Sequence, residues 1–237
     1  VGHAGPSEAP GDGRPSAWPV QGTIRLRLGS EELDVCSGIC SYQSARPWGP
    51  VILAKTNPFE GASFSLRNRL ARLVWLCVWL LMFRPSPAPL HAWRCWLLRI
   101  FGARIGSPCY VYNDVEIWAP WNLSMANYST LGRRVTCYSM APVSLGERAV
   151  VSQGVHLCTG SHDHESENFQ LFASPISIGS DVWLCAEAFL APGVSIGDGA
   201  VIGARSVVTR DQPPWMVCAG NPCRPLKPRK PPSYARG

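Results

Sequence analysis

Residues able to do chemistry cluster at one place, where the run Leu157-Cys158-Thr159-Gly160-Ser161-His162 meets a polar stretch, DHESENFQLFASP. An imidazole titrates near neutrality, so it can take a proton from a hydroxyl nucleophile and return it within one turnover. On residue type alone His162 is either such a base or a surface histidine beside a polar loop. His164 could touch an acceptor molecule or be solvated, and Asp163 and Glu165 could orient His162 or fix the loop. His156 reads as structural. Zinc held by three histidines from neighbouring repeats is not expected, because no histidine stands between His91 and His156. Cys36 and Cys40 lack a second Cys or His pair nearby, so no metal is expected there either. No Cys or Ser is placed to argue for a covalent intermediate.

A repeat must position His162. Large aliphatic residues recur every six positions at Leu145, Val151 and Leu157, and again at Ile178, Leu184, Leu190, Ile196, Ile202 and Val208. Ile105, Val111 and Ile117, then Met125 and Leu131, carry the same spacing earlier. Four residues after most of them stands a small or β-branched residue, as at Ala149, Val155, Val182, Ala188, Val194 and Ala200. On a helix, at about 100° per residue, six steps scatter over three sides and form no stripe. On a strand, six steps return to the same face. The glycines that follow many of the aliphatics, such as Gly132, Gly146 and Gly179, are expected to mark corners. Each unit is then a short strand and a turn that cannot bury its apolar face alone, so the units must stack into a solenoid. The register breaks once sharply, at the polar stretch after His162. A solenoid tolerates insertions only as loops from a corner, and such loops often carry function.

The remaining chain divides around this repeat. Residues 1–56 mix Gly, Pro, Ser and charge without a sustained period and are expected to form a disordered or weakly ordered tail. Residues 57–103 read as a helical hairpin: arginines at 67, 69 and 72, an apolar run from Leu73 to Phe83, the breaker RPSPAP, then LHAWRCWLLRIFGA. The apolar run covers only about half of the ~20 residues that a bilayer-crossing helix needs. The hairpin either packs on the solenoid or lies on a membrane surface through 67–101. The solenoid is expected over 104–212, with a C-terminal extension over 213–237. The net charge of +6 forms no long basic block, so nucleic acid is not an expected partner. The ten cysteines are scattered and read as reduced thiols of a cytoplasmic protein. The N-terminus lacks a basic, apolar, small-residue order, so no secretory leader is expected.

The segment PISIGSDVWLCAEAFLAPGVSIGDGAVIGARSVVTRDQPPWMVCAGNPCRPLKPR resembles the C-terminal half of hexapeptide-repeat acetyltransferases. With LCTGSHDH and WRCWLLRIFGARIG it looks most like the colanic acid biosynthesis branch, beside the galactoside, maltose and nodulation-factor acetyltransferases. The resemblance covers roughly 57–230. It implies a mainly β fold, the left-handed parallel β-helix, assembled as a homotrimer with active sites between subunits. It implies acetyl-CoA as donor, a saccharide or lipid-linked oligosaccharide as acceptor, and His162 as the base. It places the pantetheine arm at Ala186 and Ala204, with Thr209 beyond, and its phosphates near Arg224 and Lys227. The galactoside branch binds acceptor through an asparagine in the coils before the histidine. This chain instead has VTCYSMAPVSLG, so Thr136, Cys137 and Tyr138, with His164, become the acceptor-side candidates. The expected acceptor belongs to exopolysaccharide biosynthesis of the colanic acid kind; an antibiotic acceptor is the alternative, and because the repeat alone carries no chemistry, a non-catalytic β-helix scaffold is the alternative of another class.

Overall fold

The computed structural model describes residues 61–232 in full and the backbone of three short strands before them, Ile24–Leu28, Glu31–Val35 and Val51–Ile52. The chain divides into two units, Val1–Pro47 and Trp48–Gly237. In the first, Ile24–Leu28 and Glu31–Val35 pair antiparallel. The rest of the tail expected over 1–56, including Cys36 and Cys40, lies outside the described residues apart from Val51–Ile52.

The second unit holds a three-sided parallel solenoid. Its first side stacks Arg104–Ile105, Leu123–Met125, Val143–Leu145, Ile176–Ile178 and Ser195–Ile196. The second stacks Tyr110–Val111, Thr130–Leu131, Val150–Val151, Trp183–Leu184 and Val201–Ile202. The third stacks Glu116–Ile117, Thr136–Tyr138, His156–Cys158, Phe189–Leu190 and Val207–Val208.

The strand pairing sets the aliphatic of each coil directly over that of the next. Ile105, Met125, Leu145, Ile178 and Ile196 form one column, and Ile117, Cys137, Leu157, Leu190 and Val208 another. All of them are buried. A rung spacing of about 4.8 Å puts each aliphatic in contact with those above and below, so the columns are the core.

The glycines open the corners, as expected: the N–H groups of Val135, Ala149, Ala200 and Ser206 donate back to the carbonyls of Gly132, Gly146, Gly197 and Gly203. The glycine after each aliphatic is not where the chain turns left-handed. That conformation falls two residues later, at Arg134 (φ 53°), Arg148 (φ 56°), Asp181 (φ 58°) and Arg205 (φ 58°). Gly132 is required by close approach instead: a Cβ there would stand 2.8 Å from the carbonyl oxygen of Val151 in the next coil.

The solenoid also does not end at 212. Met216–Gly220 adds a parallel rung beside Val201–Ile202, which stacks Cys218 on Ile202, and Cys223–Pro228 returns antiparallel to it. Arg229 closes this end by donating from one Nη1 to the carbonyls of Asp181 and Gly199.

The helical hairpin packs on the first coils. Helix α1, Leu66–Val78, is capped by Ser65, whose hydroxyl accepts from the Asn68 N–H. A π-helical turn, Trp79–Phe83, ends it. In an unbroken α-helix Trp75 and Phe83 would point about 80° apart, and the π turn brings both inward, with ring centroids 5.8 Å apart. Indole N–H groups anchor the helix, Trp75 to the carbonyl of Ile117 and Trp79 to that of Val115. Helix α2, His91–Ile100, is pinned by the fully buried Arg94. Its guanidinium donates to the carbonyl oxygens of Val111, Pro87 and Ala88 and to Ser86 Oγ. One cation thus ties the proline breaker to the first coil.

Candidate active site

His162 leaves the solenoid on a hairpin. After Cys158 the chain passes through Thr159, fully buried, whose Oγ1 donates to the Tyr138 carbonyl and accepts from the Ala141 N–H. Gly160 then fits beneath Met140, because a Cβ there would overlap the Met140 sulfur. Gly160–His162 pairs antiparallel with Leu171–Ala173, setting His162 across from Leu171. The Thr-Gly pair therefore locks the exit from the coil, and the exposed His162 stands at the end of a short, fixed strand.

The loop orients the imidazole through backbone. His162 Nδ1 lies 2.6 Å from the Phe169 carbonyl oxygen. A carbonyl can only accept, so Nδ1 carries the proton and Nε2 presents a lone pair. Ser166 holds Phe169 in place: its carbonyl takes the Phe169 N–H, and its hydroxyl donates to the Asp163 carbonyl while accepting from the Gln170 N–H. Asp163 Oδ1 accepts the Glu165 N–H, so this carboxylate shapes the loop. His164 is exposed on it.

The acceptor-side candidates separate. Thr136, Cys137 and Tyr138 form the rung paired with His156–Cys158. Cys137 points into the core and is fully buried, so its side chain has no access to an acceptor. Burial pushes its thiol up to about 12. Thr136 and Tyr138 face outward and line a groove of about 780 Å³ whose other wall is α1, with Leu70, Leu73, Arg69 and Arg72. The Arg72 guanidinium sits 4.3 Å from the centre of the Trp118 ring on the groove floor. Sequence reasoning missed this wall. Its signal was the three arginines spaced along the start of α1.

The donor-side candidates lie elsewhere on the chain. Ala186 and Ala204 occupy the same corner of successive coils, joined by the Arg205 N–H donating to the Ala186 carbonyl. That corner precedes the third side, whereas His162 leaves after it, so the two stand on opposite edges of that side. Thr209 lies on the His162 edge, two coils on, and is exposed. Arg224 and Lys227 are exposed on the returning strand. Arg205 is paired with Glu187 at 2.6 Å.

Cys158 is the thiol nearest His162 in sequence. It is half-buried, its Sγ donates to the Gly160 carbonyl, and burial raises its pKa. The thiolate that nucleophilic catalysis needs is therefore disfavoured.

Comparison with known proteins agrees with this architecture. The model of the bacterial transferase hexapeptide (six repeats) family matches residues 175–210. WcaF of Escherichia coli (strain K12), named as a colanic acid biosynthesis acetyltransferase, is 43% identical over 162 residues, covering 68% of this chain and 89% of WcaF. The chain belongs to the hexapeptide-repeat acetyltransferase family. Galactoside O-acetyltransferase of Escherichia coli (strain K12) is another relative, 32% identical over 55% of this chain and 66% of its own. Among solved structures, a maltose O-acetyltransferase from Clostridium difficile 630 superposes with a TM-score of 0.65 at 24% identity, covering 70% of this chain and 90% of that one. A galactoside acetyltransferase in complex with coenzyme A gives 0.59 at 26% identity, covering 71% and 86%. These hexapeptide-repeat folds establish the fold class, the left-handed parallel β-helix.

Proposed function

We propose that the chain moves an acetyl group from acetyl-CoA to a saccharide hydroxyl, with His162 as general base. The observation that carries this reading is the hydrogen bond from His162 Nδ1 to the Phe169 carbonyl, which leaves Nε2 free to accept a proton. The donor supplies an activated thioester. His162 Nε2 takes the proton of the acceptor hydroxyl as its oxygen attacks the thioester carbonyl carbon. The carbon–sulfur bond breaks, and the proton held on Nε2 passes to the leaving sulfur. The chain needs no covalent intermediate, and the raised pKa of Cys158 argues against one.

The donor arm suits the corner at Ala186 and Ala204, where the side chains end at Cβ and leave the backbone open to an extended ligand. Thr209, on the His162 edge, would meet the donor held at the alanine corner of a neighbouring copy, and the exposed cations Arg224 and Lys227 suit the donor phosphates. Because that corner and His162 occupy opposite edges of one side, three copies with this side turned to a common axis would bring the His162 edge of each against the alanine corner of the next. A homotrimer with shared sites is the assembly this reading requires. Thr136 and Tyr138, with His164 on the loop, would meet the acceptor. The similarity to WcaF points to an exopolysaccharide saccharide of the colanic acid kind as acceptor, and the donor places the reaction in the cytoplasm.

The test is thiol release from acetyl-CoA across a panel of saccharides, for the parent protein beside His162→Ala. Undiminished turnover in the variant overturns the assignment of the base. Mixing His162→Ala with Ala186→Trp gives a second reading: shared sites predict activity recovered in mixed assemblies, and sites within one chain predict none.

A further inference from the structure

Helix α1 is inserted by one side only. Trp75 marks the inward face, while Val74, Leu80 and Leu81 point away from the solenoid, Leu81 remaining 77% exposed and Val74 54%. Helix α2 repeats the pattern, with Cys95, Leu97 and Leu98 buried and Trp96 and Ile100 outward, the latter 57% exposed. Trp96 stacks on Trp93 with centroids 5.0 Å apart, and the Trp93 indole N–H donates to the Met82 carbonyl, which ties the α2 tryptophans to the end of the α1 run. Such a broad apolar face is uncommon on an isolated soluble surface and marks a contact.

Charge decides what the contact is. Residues 61–103 contain six arginines and no Asp, Glu or Lys. Arg94 is buried and satisfied by carbonyls, and Arg67 and Arg69 stand exposed on the first turns of α1, flanking the leucines. A second copy of this face would set arginines against arginines with no carboxylate on either side. A surface that is apolar beneath and anionic at its rim matches both features. Tryptophan and arginine beside aliphatic residues are also the composition that settles at a bilayer interface. No helix among the described residues is long and apolar enough to cross a membrane, so the hairpin would lie on the surface.

We propose that the outward face of α1 and α2 docks on an anionic lipid bilayer. Leu70 and Leu73 also wall the groove that holds Thr136 and Tyr138. The inference stands on the surface alone and does not depend on the transferase chemistry.

The experiment is co-sedimentation of the full chain with vesicles of phosphatidylcholine alone or mixed with phosphatidylglycerol. The parent protein should pellet with the mixed vesicles, and partition should fall roughly tenfold with phosphatidylcholine alone, in raised salt, or in Arg67→Glu. Val74→Glu/Leu81→Glu should lose pelleting by a similar factor while keeping its circular dichroism, its oligomeric mass by light scattering and its transfer to a water-soluble saccharide. Parent protein that stays in the supernatant, or a double variant that pellets like the parent, overturns the proposal. A double variant that loses its oligomeric mass also overturns it, because the face is then a contact between copies. Transfer to the soluble saccharide is read separately, so failure on vesicles leaves the transferase reading intact.

Discussion

The His162 ring and the Phe169 carbonyl, seven residues apart in sequence, meet at 2.6 Å across the loop. The contact sets which ring nitrogen carries the proton, and no carboxylate among the described residues bonds the ring. Removal of the imidazole should therefore cost the general-base contribution, about 10²–10⁴ in kcat, with KM for acetyl-CoA little changed. Steady-state kinetics of His162→Ala check this, and an equal fall in affinity would mean the residue binds more than it catalyses.

Ser166 should act through Phe169. Its hydroxyl bridges Asp163 and Gln170, and its carbonyl takes the Phe169 N–H. Ser166→Ala leaves His162 present but loosens its acceptor, so kcat should fall about tenfold with KM nearly constant. Rescue by Ser166→Thr distinguishes this positioning role from general loop damage.

Cys158→Ala should keep turnover within about twofold, because a thiol whose pKa burial raises is a poor nucleophile at neutral pH. A burst of covalently acetylated protein, read by mass spectrometry on rapid quench, would contradict direct transfer.

Arg94→Met should destabilise the hairpin by about 2–4 kcal/mol, since it removes a buried cation that satisfies three carbonyls and a hydroxyl. Urea unfolding followed through tryptophan fluorescence reports it. The solenoid columns do not involve this residue, so their far-ultraviolet signal should survive.

His156 sets a pH dependence. Its ring packs edge-on against Phe189, its Nε2 is buried without a partner, and burial lowers its pKa. The unfolded chain then binds the proton more readily than the folded one, so stability is complete above the ordinary histidine value of about 6.5 and falls as pH drops through the lower folded value. Thermal unfolding from neutral to mildly acidic pH should show this fall, and His156→Phe should flatten it.

The repeat was legible in the sequence because each inward residue is set by a local rule. A strand residue six positions on returns to the same face, and a unit too small to bury that face must stack. Ile178 over Ile196 and Leu184 over Ile202 follow from that arithmetic, and so does the loop after His162, which is where the arithmetic fails. The glycines were legible as a pattern but not as a cause. Gly132 answers to the carbonyl of Val151 in the coil it packs against, nineteen residues away. The same rule sets Cys137 inward, six residues after Leu131, but tertiary structure alone decided that Thr136 and Tyr138 face a groove, because the neighbour on that side is α1. It also decided that a backbone carbonyl, and neither Asp163 nor Glu165, orients His162. Those relationships join residues through space with no periodic spacing between them, as when the Trp75 indole reaches the carbonyl of Ile117. A local rule can place a residue on a face, and only the folded chain supplies what that face meets.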